Sequence, residues 1–150
     1  MKITDLLPTQ NIRQGILCSS KKRVLEVIAN IAAEHQNLEP HLCFEQLCAR
    51  EKLGCTSLGG GVALPHAKLA GGEKPVAVFL QLDTAIDFSA ADRRDVDLFF
   101  ALLIPEHYCD AFKIHLARLA ECLTDKSLCK QLRNAQSAEE IWEIFEHIEI

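Results

Sequence analysis

No apolar run in this chain is long enough to cross a bilayer. The longest, Val96 to Ile104, is strand-sized and carries Asp97, whereas a spanning helix needs about 20 apolar residues. Nor does Met1-Lys2-Ile3-Thr4-Asp5 lead into the apolar core of a secretory signal. A basic excess is missing as well. The net charge of −5 argues against a general nucleic-acid binder, which carries a basic face. There is no G-x-x-x-x-G-K-S/T segment, and so no nucleotide-hydrolysing P-loop. No H-x-x-x-H pair and no carboxylate cluster stands beside His66, as a metal-dependent hydrolase would require. Internal repeats, linkers and low-complexity stretches are also lacking.

The seven cysteines form no C-x-x-C pair and their number is odd. With nothing marking secretion, free cytosolic thiols are expected rather than disulfides or a structural zinc site. Cys43, Cys48, Cys122 and Cys129 fall on helical, partly apolar faces, where cysteine behaves as a small hydrophobe. A chain of 150 residues is long enough to bury a core and is expected to form one domain, 1–150.

Hydrophobic periodicity gives the order of elements. Residues 1 to 18 read as a lead with a strand over Asn11 to Leu17. Ser19 and Ser20 are N-cap residues for a helix over Lys21 to His35, in which Val24, Leu25, Ile28, Ile31 and Ala32 recur at helical spacing. Pro40 can open a second helix, ending near Arg50 to Gly54. His35 and His41 flank the junction and are expected at the surface. Val76 to Leu82 and Val96 to Ile104 are strands; the second is apolar on both faces, as in a doubly covered sheet. A short strand is expected around Ile86 to Phe88. Tyr108 to Leu123 is helical. Asp125 caps a short helix through Leu132. Ser137 and Glu140 have the form of a capping box for a last helix carrying Ile141, Ile144, Phe145 and Ile148. The fold class is therefore α/β, a mixed sheet sandwiched between helices.

The chemistry concentrates in Gly54 to His66. A glycine-rich loop runs into a short strand ending at Leu64, and Pro65 stiffens the backbone just before His66. The open amides of Gly59, Gly60 and Gly61 can cradle an anion. Arg50 can grip a phosphate with its fork. Neutral imidazole is a competent nucleophile near pH 7. Together these suggest chemistry on a phosphoryl group, with His66 reacting. Thr56 and Lys68 are further candidate donors, although Lys68 reads equally well as a solvated loop charge. A plain reading stands beside this one: three glycines can be only a turn, and one histidine only a capped loop residue.

The segment Arg50-Glu51-Lys52-Leu53-Gly54-x-Thr56-x-x-Gly59-x-Gly61-Val62-Ala63-Leu64-Pro65-His66 resembles the active-site signature of the nitrogen-regulatory enzyme IIA of the bacterial phosphotransferase system. That family is paralogous to the fructose- and mannitol-specific IIA domains. Ser20 to Glu26 is similar to its first helix, Val96 to Pro105 to its central strand, and Ala135 to Glu140 to the start of its last helix. The resemblance implies a type-2 IIA fold with His66 near the sheet edge. It implies that His66 takes a phosphoryl group from an HPr-type phosphocarrier (NPr) and that Arg50 stabilises the phosphohistidine; on the donor chemistry above, Thr56 and Gly59 to Gly61 are expected to help bind the phosphate. It implies a cytoplasmic histidine phosphoryl carrier, with no cofactor and no metal. Its phosphorylation state would regulate proteins such as sensor kinases or potassium transport proteins.

One departure is visible. Members often carry a second active-site histidine on the helix after the central strand. Counted without gaps from Pro105, that place holds Phe112, and His115 lies about one turn further on as a possible auxiliary. Two alternatives stay open: a sugar-specific IIA component passing phosphate to a IIB domain, and an interaction module that never receives phosphate.

Overall fold

The computed structural model describes residues 1–150, the side chain of His35 excepted. Two long central strands set the architecture. β5 (Val76–Ile86) and β6 (Val96–Pro105) pair antiparallel, with Phe79 opposite Phe100. Along both, alternate residues point to opposite faces. Val78, Leu80, Phe99, Ala101 and Leu103 enter one apolar core, and Ala77, Phe79, Leu98, Phe100, Leu102 and Ile104 the other. The first core is closed by α1 (Lys21–Gln36) and α2 (Pro40–Leu53). The second is closed by α3 (Cys109–Leu123), α4 (Lys126–Asn134) and α5 (Ala138–Glu146). The sheet is thus covered on both sides, as the apolar pattern of Val96 to Ile104 requires.

β1 (Ile12–Ile16) pairs parallel with β5 on its outer side. On the far side of β6 the chain differs from expectation. The glycine segment is a β-hairpin: β2 (Ser57–Gly59) pairs antiparallel with the two-residue β3 (Val62–Ala63). Its turn needs Gly60 and Gly61 at φ 65° and 82°, the left-handed region that glycine enters without a Cβ penalty. β3 does not run on to His66. Leu64 and Pro65 interrupt it, and His66 opens a separate strand, β4 (His66–Leu69). Both β3 and β4 pair parallel with β6, end to end along its one edge: Val62 opposite Leu98, then His66 opposite Leu102. The Pro65 carbonyl accepts from Leu102 N at 2.9 Å, so the proline, which lacks its own N–H, still contributes an acceptor to the ladder. No separate strand forms at Ile86 to Phe88: Ile86 ends a longer β5, Asp87 and Phe88 lie beyond it in irregular chain, and Phe88 packs edge-on against Phe99.

The helix signals read from sequence correspond to observed caps. Ser20 Oγ accepts from Arg23 N, and Asp125 Oδ1 from Ser127 N and Leu128 N. Ser137 Oγ accepts from Glu140 N, but the Glu140 carboxylate returns to Gln136 N, one residue before the expected partner. His41 is exposed and pairs with Glu45; His35 lies outside the described side chains. All seven cysteines are free, with Cys43 and Cys129 buried, and burial pushes both thiols up. No helix is long and apolar enough to cross a membrane among the described residues.

One buried polar side chain ties the layers together. Gln81, on β5, accepts from Gly15 N at 3.0 Å and donates to the carbonyls of Leu132 (2.6 Å) and Ala135 (3.1 Å) at the end of α4. Leucine here would leave these groups unpartnered at roughly 1–3 kcal/mol each. Gln81→Leu is expected to lower stability by about 3 kcal/mol or more, read as a reduced urea midpoint with an unchanged slope.

Candidate functional site

Beyond β4 the sheet edge is open, and two helices overhang it from opposite faces. α2 contributes Gln46, Ala49, Arg50 and Leu53; α3 contributes Cys109, Phe112, Lys113 and Leu116. Each set is spaced i, i+3, i+4, i+7, one stripe of a helix. Between the stripes lie His66, Ala67 and Lys68 of β4 and Ile104 of β6, and together they enclose a cavity of about 440 Å³. Its walls are mostly apolar. Its charged lining is Arg50, Lys68 and Lys113, and no carboxylate lines it among the described residues.

His66 sits at the start of β4 with Nδ1 2.8 Å from the Leu64 carbonyl oxygen. A carbonyl can only accept, so Nδ1 carries the proton and the lone pair resides on Nε2. Burial pushes the His66 pKa below the ordinary histidine value. The Leu64 carbonyl opposes that shift, the Arg50 guanidinium adds to it, and the Glu51 carboxylate opposes it. The ring is therefore neutral near pH 7, in one tautomer, with a nucleophilic nitrogen available.

Arg50 belongs to the last turn of α2, where its Nη1 donates to the Gly54 carbonyl at 2.9 Å. That bond satisfies a helix-end carbonyl and holds the guanidinium at the cavity. Its other nitrogens have no partner among the described residues. The neighbouring Glu51 is the group that sequence reasoning passed over. Its side chain is only 5% exposed, and it pairs with Lys21 at 3.0 Å. It also accepts from both the amide and the hydroxyl of Thr56. In sequence, Glu51 is an ordinary helix acid; only the return of the chain through Thr56 makes it an internal carboxylate.

The other expected site residues lie elsewhere. Thr56 is buried and turned to Glu51. The hairpin does hold an anion, but the anion is a side chain of the protein: Gly60 N donates to Asp92 Oδ2 at 3.0 Å. Two backbone donors, from Arg94 and Gly60, hold the Asp92 carboxyl below its usual range. The Gly60 carbonyl accepts from Arg133 Nη2 at 2.8 Å, and Arg133 clasps Asp97 of β6 with Nε and Nη2. A Cβ on Gly61 would meet Arg133 Nη2 at 2.7 Å. The Gly61 carbonyl accepts from Asp97 N and Leu98 N, four residues before the His66 register position, about 13 Å along a strand. The structure does not bring Gly59, Gly60 and Gly61 to the cavity that holds His66 and Arg50.

Nor does it bring His115 there. The His115 Nδ1 lies 3.1 Å from the Ile150 carbonyl oxygen. Phe112, 2% exposed, supplies an apolar wall to the cavity instead. Lys113 was missed from sequence, although its place beside Phe112 on the stripe of Cys109 and Leu116 was readable. Its one ion pair among the described residues, with Asp110 at 3.4 Å, is exposed and contributes little.

The fold is an α/β sandwich whose open edge holds a neutral histidine and an arginine in one cavity, and its class is that of the phosphotransferase IIA components. The chain belongs to the family of the phosphoenolpyruvate-dependent sugar phosphotransferase system, EIIA 2, whose model matches residues 5–148. Within that family it stands with the nitrogen regulatory proteins. It is 53% identical over 150 residues to a nitrogen regulatory protein homolog of Haemophilus influenzae, covering 97% of this chain and 92% of that protein. It is 43% identical over 148 residues to the nitrogen regulatory protein of Escherichia coli, covering 96% and 89%. The crystal structure of nitrogen regulatory protein IIA-Ntr from Neisseria meningitidis superposes with a TM-score of 0.90 at 36% identity, covering 95% of this chain and 98% of that one.

The electrostatics give a direct check. In an NMR titration His66 is expected to protonate below the ordinary value of about 6.5, and Arg50→Gln is expected to raise that midpoint because one depressing charge is gone. The linkage has a definite sign. Below about pH 6.5 the unfolded chain takes up a proton that folded His66 refuses, so His66 costs stability as pH falls toward its folded value. His66→Gln is expected to flatten that part of the stability profile.

Proposed function

We propose that the chain is a cytoplasmic phosphoryl carrier and regulator, 1–150 acting as one EIIA type-2 domain. It takes a phosphoryl group on His66 Nε2 from the phosphohistidine of an HPr-type carrier (NPr). The observation that carries this reading is the neutral His66 ring, its Nδ1 proton held by Leu64 and its Nε2 unprotonated in a cavity shared with Arg50. In the transfer the donor's N–P bond breaks as the Nε2–P bond forms. The proton stays on Nδ1, donated to the Leu64 carbonyl throughout, so no base has to remove a proton before attack. That independence fits an apolar Phe112 where a second histidine is common in the family.

Arg50 supplies charge-assisted donors to the phosphoryl oxygens, and the ammonium groups of Lys68 and Lys113 add positive potential. A phosphoryl group brings roughly two negative charges. Arriving beside three cations, it cancels most of the positive potential of the cavity mouth. A partner held there by acidic groups is then released, and one that needs the apolar rim meets a new solvated charge. Leu53, 85% exposed at that rim, is available for such contacts. Regulated targets of the sensor-kinase or potassium-transport kind would be switched in this way. Identity of 53% and 43% to nitrogen regulatory proteins favours this over a sugar-specific role. The mannitol IIA of Escherichia coli, which is described in complex with phosphorylated IIB, is only 22% identical to this chain.

Incubation with phosphoenolpyruvate, enzyme I and the HPr-type carrier is expected to add one acid-labile phosphoryl group, read by intact mass. His66→Ala is expected to gain none. Arg50→Gln is expected to slow transfer by roughly a hundredfold, as loss of one charge-stabilising donor does elsewhere. His115→Ala is expected to transfer at the wild-type rate. An unlabelled wild type beside a labelled control IIA would leave an interaction module as the reading.

A further inference from the structure

The His66 tautomer depends on where the Leu64 carbonyl points, and Leu64 is not anchored by its own strand. It lies in the break between β3 and β4. Its N–H donates to the Thr56 carbonyl at 3.0 Å, and its carbonyl accepts from His66 Nδ1 at 2.8 Å. One peptide-flanked residue thus sits between Thr56 and the reacting ring. Thr56 in turn is gripped twice by Glu51, through its amide at 3.3 Å and through its hydroxyl. Lys21, from the first turn of α1, completes the carboxylate at 3.0 Å. The Lys21 ammonium is itself seated, donating to the Phe88 carbonyl at 3.3 Å and lying 4.4 Å above the Phe88 ring.

We propose that Glu51, acting through Thr56 and Leu64, is a positioning residue that holds His66 in the Nδ1–H tautomer for phosphoryl transfer. The inference rests on His66 being the acceptor and adds how its orientation is set. The chain of contacts is Glu51 carboxylate, Thr56, Leu64, His66, and each link is a hydrogen bond with the donor and acceptor roles fixed. Covalently, Glu51 also neighbours Arg50, so a single internal carboxylate sets the frame of both the attacking ring and the guanidinium that receives the phosphoryl oxygens. A buried carboxylate is costly unless it is paired and hydrogen-bonded, and here a lysine, an amide and a hydroxyl meet it. The outcome is an imidazole aimed by main chain that is itself braced, the arrangement in-line transfer needs.

The test uses the whole protein labelled with nitrogen-15, and reads the two ring nitrogens of His66 above pH 7.5 alongside single-turnover transfer from the phosphorylated HPr-type carrier. Wild type and Thr56→Ser, which keeps the hydroxyl, are expected to hold the Nδ1–H tautomer. Thr56→Val keeps the amide but loses the hydroxyl donor to Glu51, and Glu51→Gln can accept only one of the two Thr56 bonds. Both are expected to show mixed tautomers and transfer slowed roughly ten- to a hundredfold, the scale of a small misplacement of reacting atoms. Lys21→Met, which leaves residues 51 and 56 intact, is expected to shift the ratio in the same direction and carries the test if the other two variants fail to fold. Folded variants with the wild-type tautomer and rate would overturn the proposal. If wild type takes no phosphoryl group, the carrier reading falls, and the tautomer comparison alone still decides whether Glu51 positions the ring.

Discussion

The structure turns on the edge of β6. That strand is apolar on both faces, so its backbone groups have no access to water and need ladder partners. β5 supplies them along one side. On the other side a single continuous strand does not; β3 and β4 pair in succession, separated by Leu64 and Pro65. The break is what makes the site. Leu64, free of regular pairing, can turn its carbonyl to the His66 ring, and β4 resumes with His66 at the open edge between α2 and α3. A continuous strand through residues 62–69 would direct the Leu64 carbonyl to a ladder and leave the ring without its partner.

Around that edge the charges are sorted by depth. The carboxylate of Glu51 is internal and fully engaged, whereas Arg50, one residue earlier on the same helix, looks into the cavity. Adjacent residues on a helix differ by about 100°, so a buried acid and a cavity-lining base follow from a single turn. The hairpin repeats the principle away from the site: the Asp97 carboxylate is clasped by Arg133, and Asp92 is capped by backbone donors. The cavity's free charges are therefore all positive in a chain whose net charge is −5. A phosphoryl group finds a local potential opposite in sign to the protein as a whole.

Much of this was readable in advance where the controlling physics is local. Helix starts at Ser20, Pro40, Asp125 and Ser137 follow from cap chemistry within four residues, and the double burial of Val96 to Ile104 follows from its composition. Arg50 and His66 stood out as residue types in a pattern. What could not be read were the consequences of non-local pairing. The glycines looked like an anion cradle, and one of their amides does bind an anion, but it is the Asp92 carboxylate, brought there from 32 positions along the chain. His115 and Phe112 share a helix and differ by less than one turn, yet one faces the cavity and the other the Ile150 carbonyl. Spacing alone gives the angle between them, not which of the two meets β4.

By itself, then, the sequence determined the elements, their caps, the two-sided burial of the central strand and the pairing of one arginine with one histidine in a short segment. Tertiary structure decided which groups share a cavity, which carboxylate is internal and which ring nitrogen is free. The reason is one of range. Caps, periodicity and turn preference are settled between residues a few positions apart, whereas a tautomer or a buried ion pair depends on groups that meet only when strands from distant parts of the chain have paired.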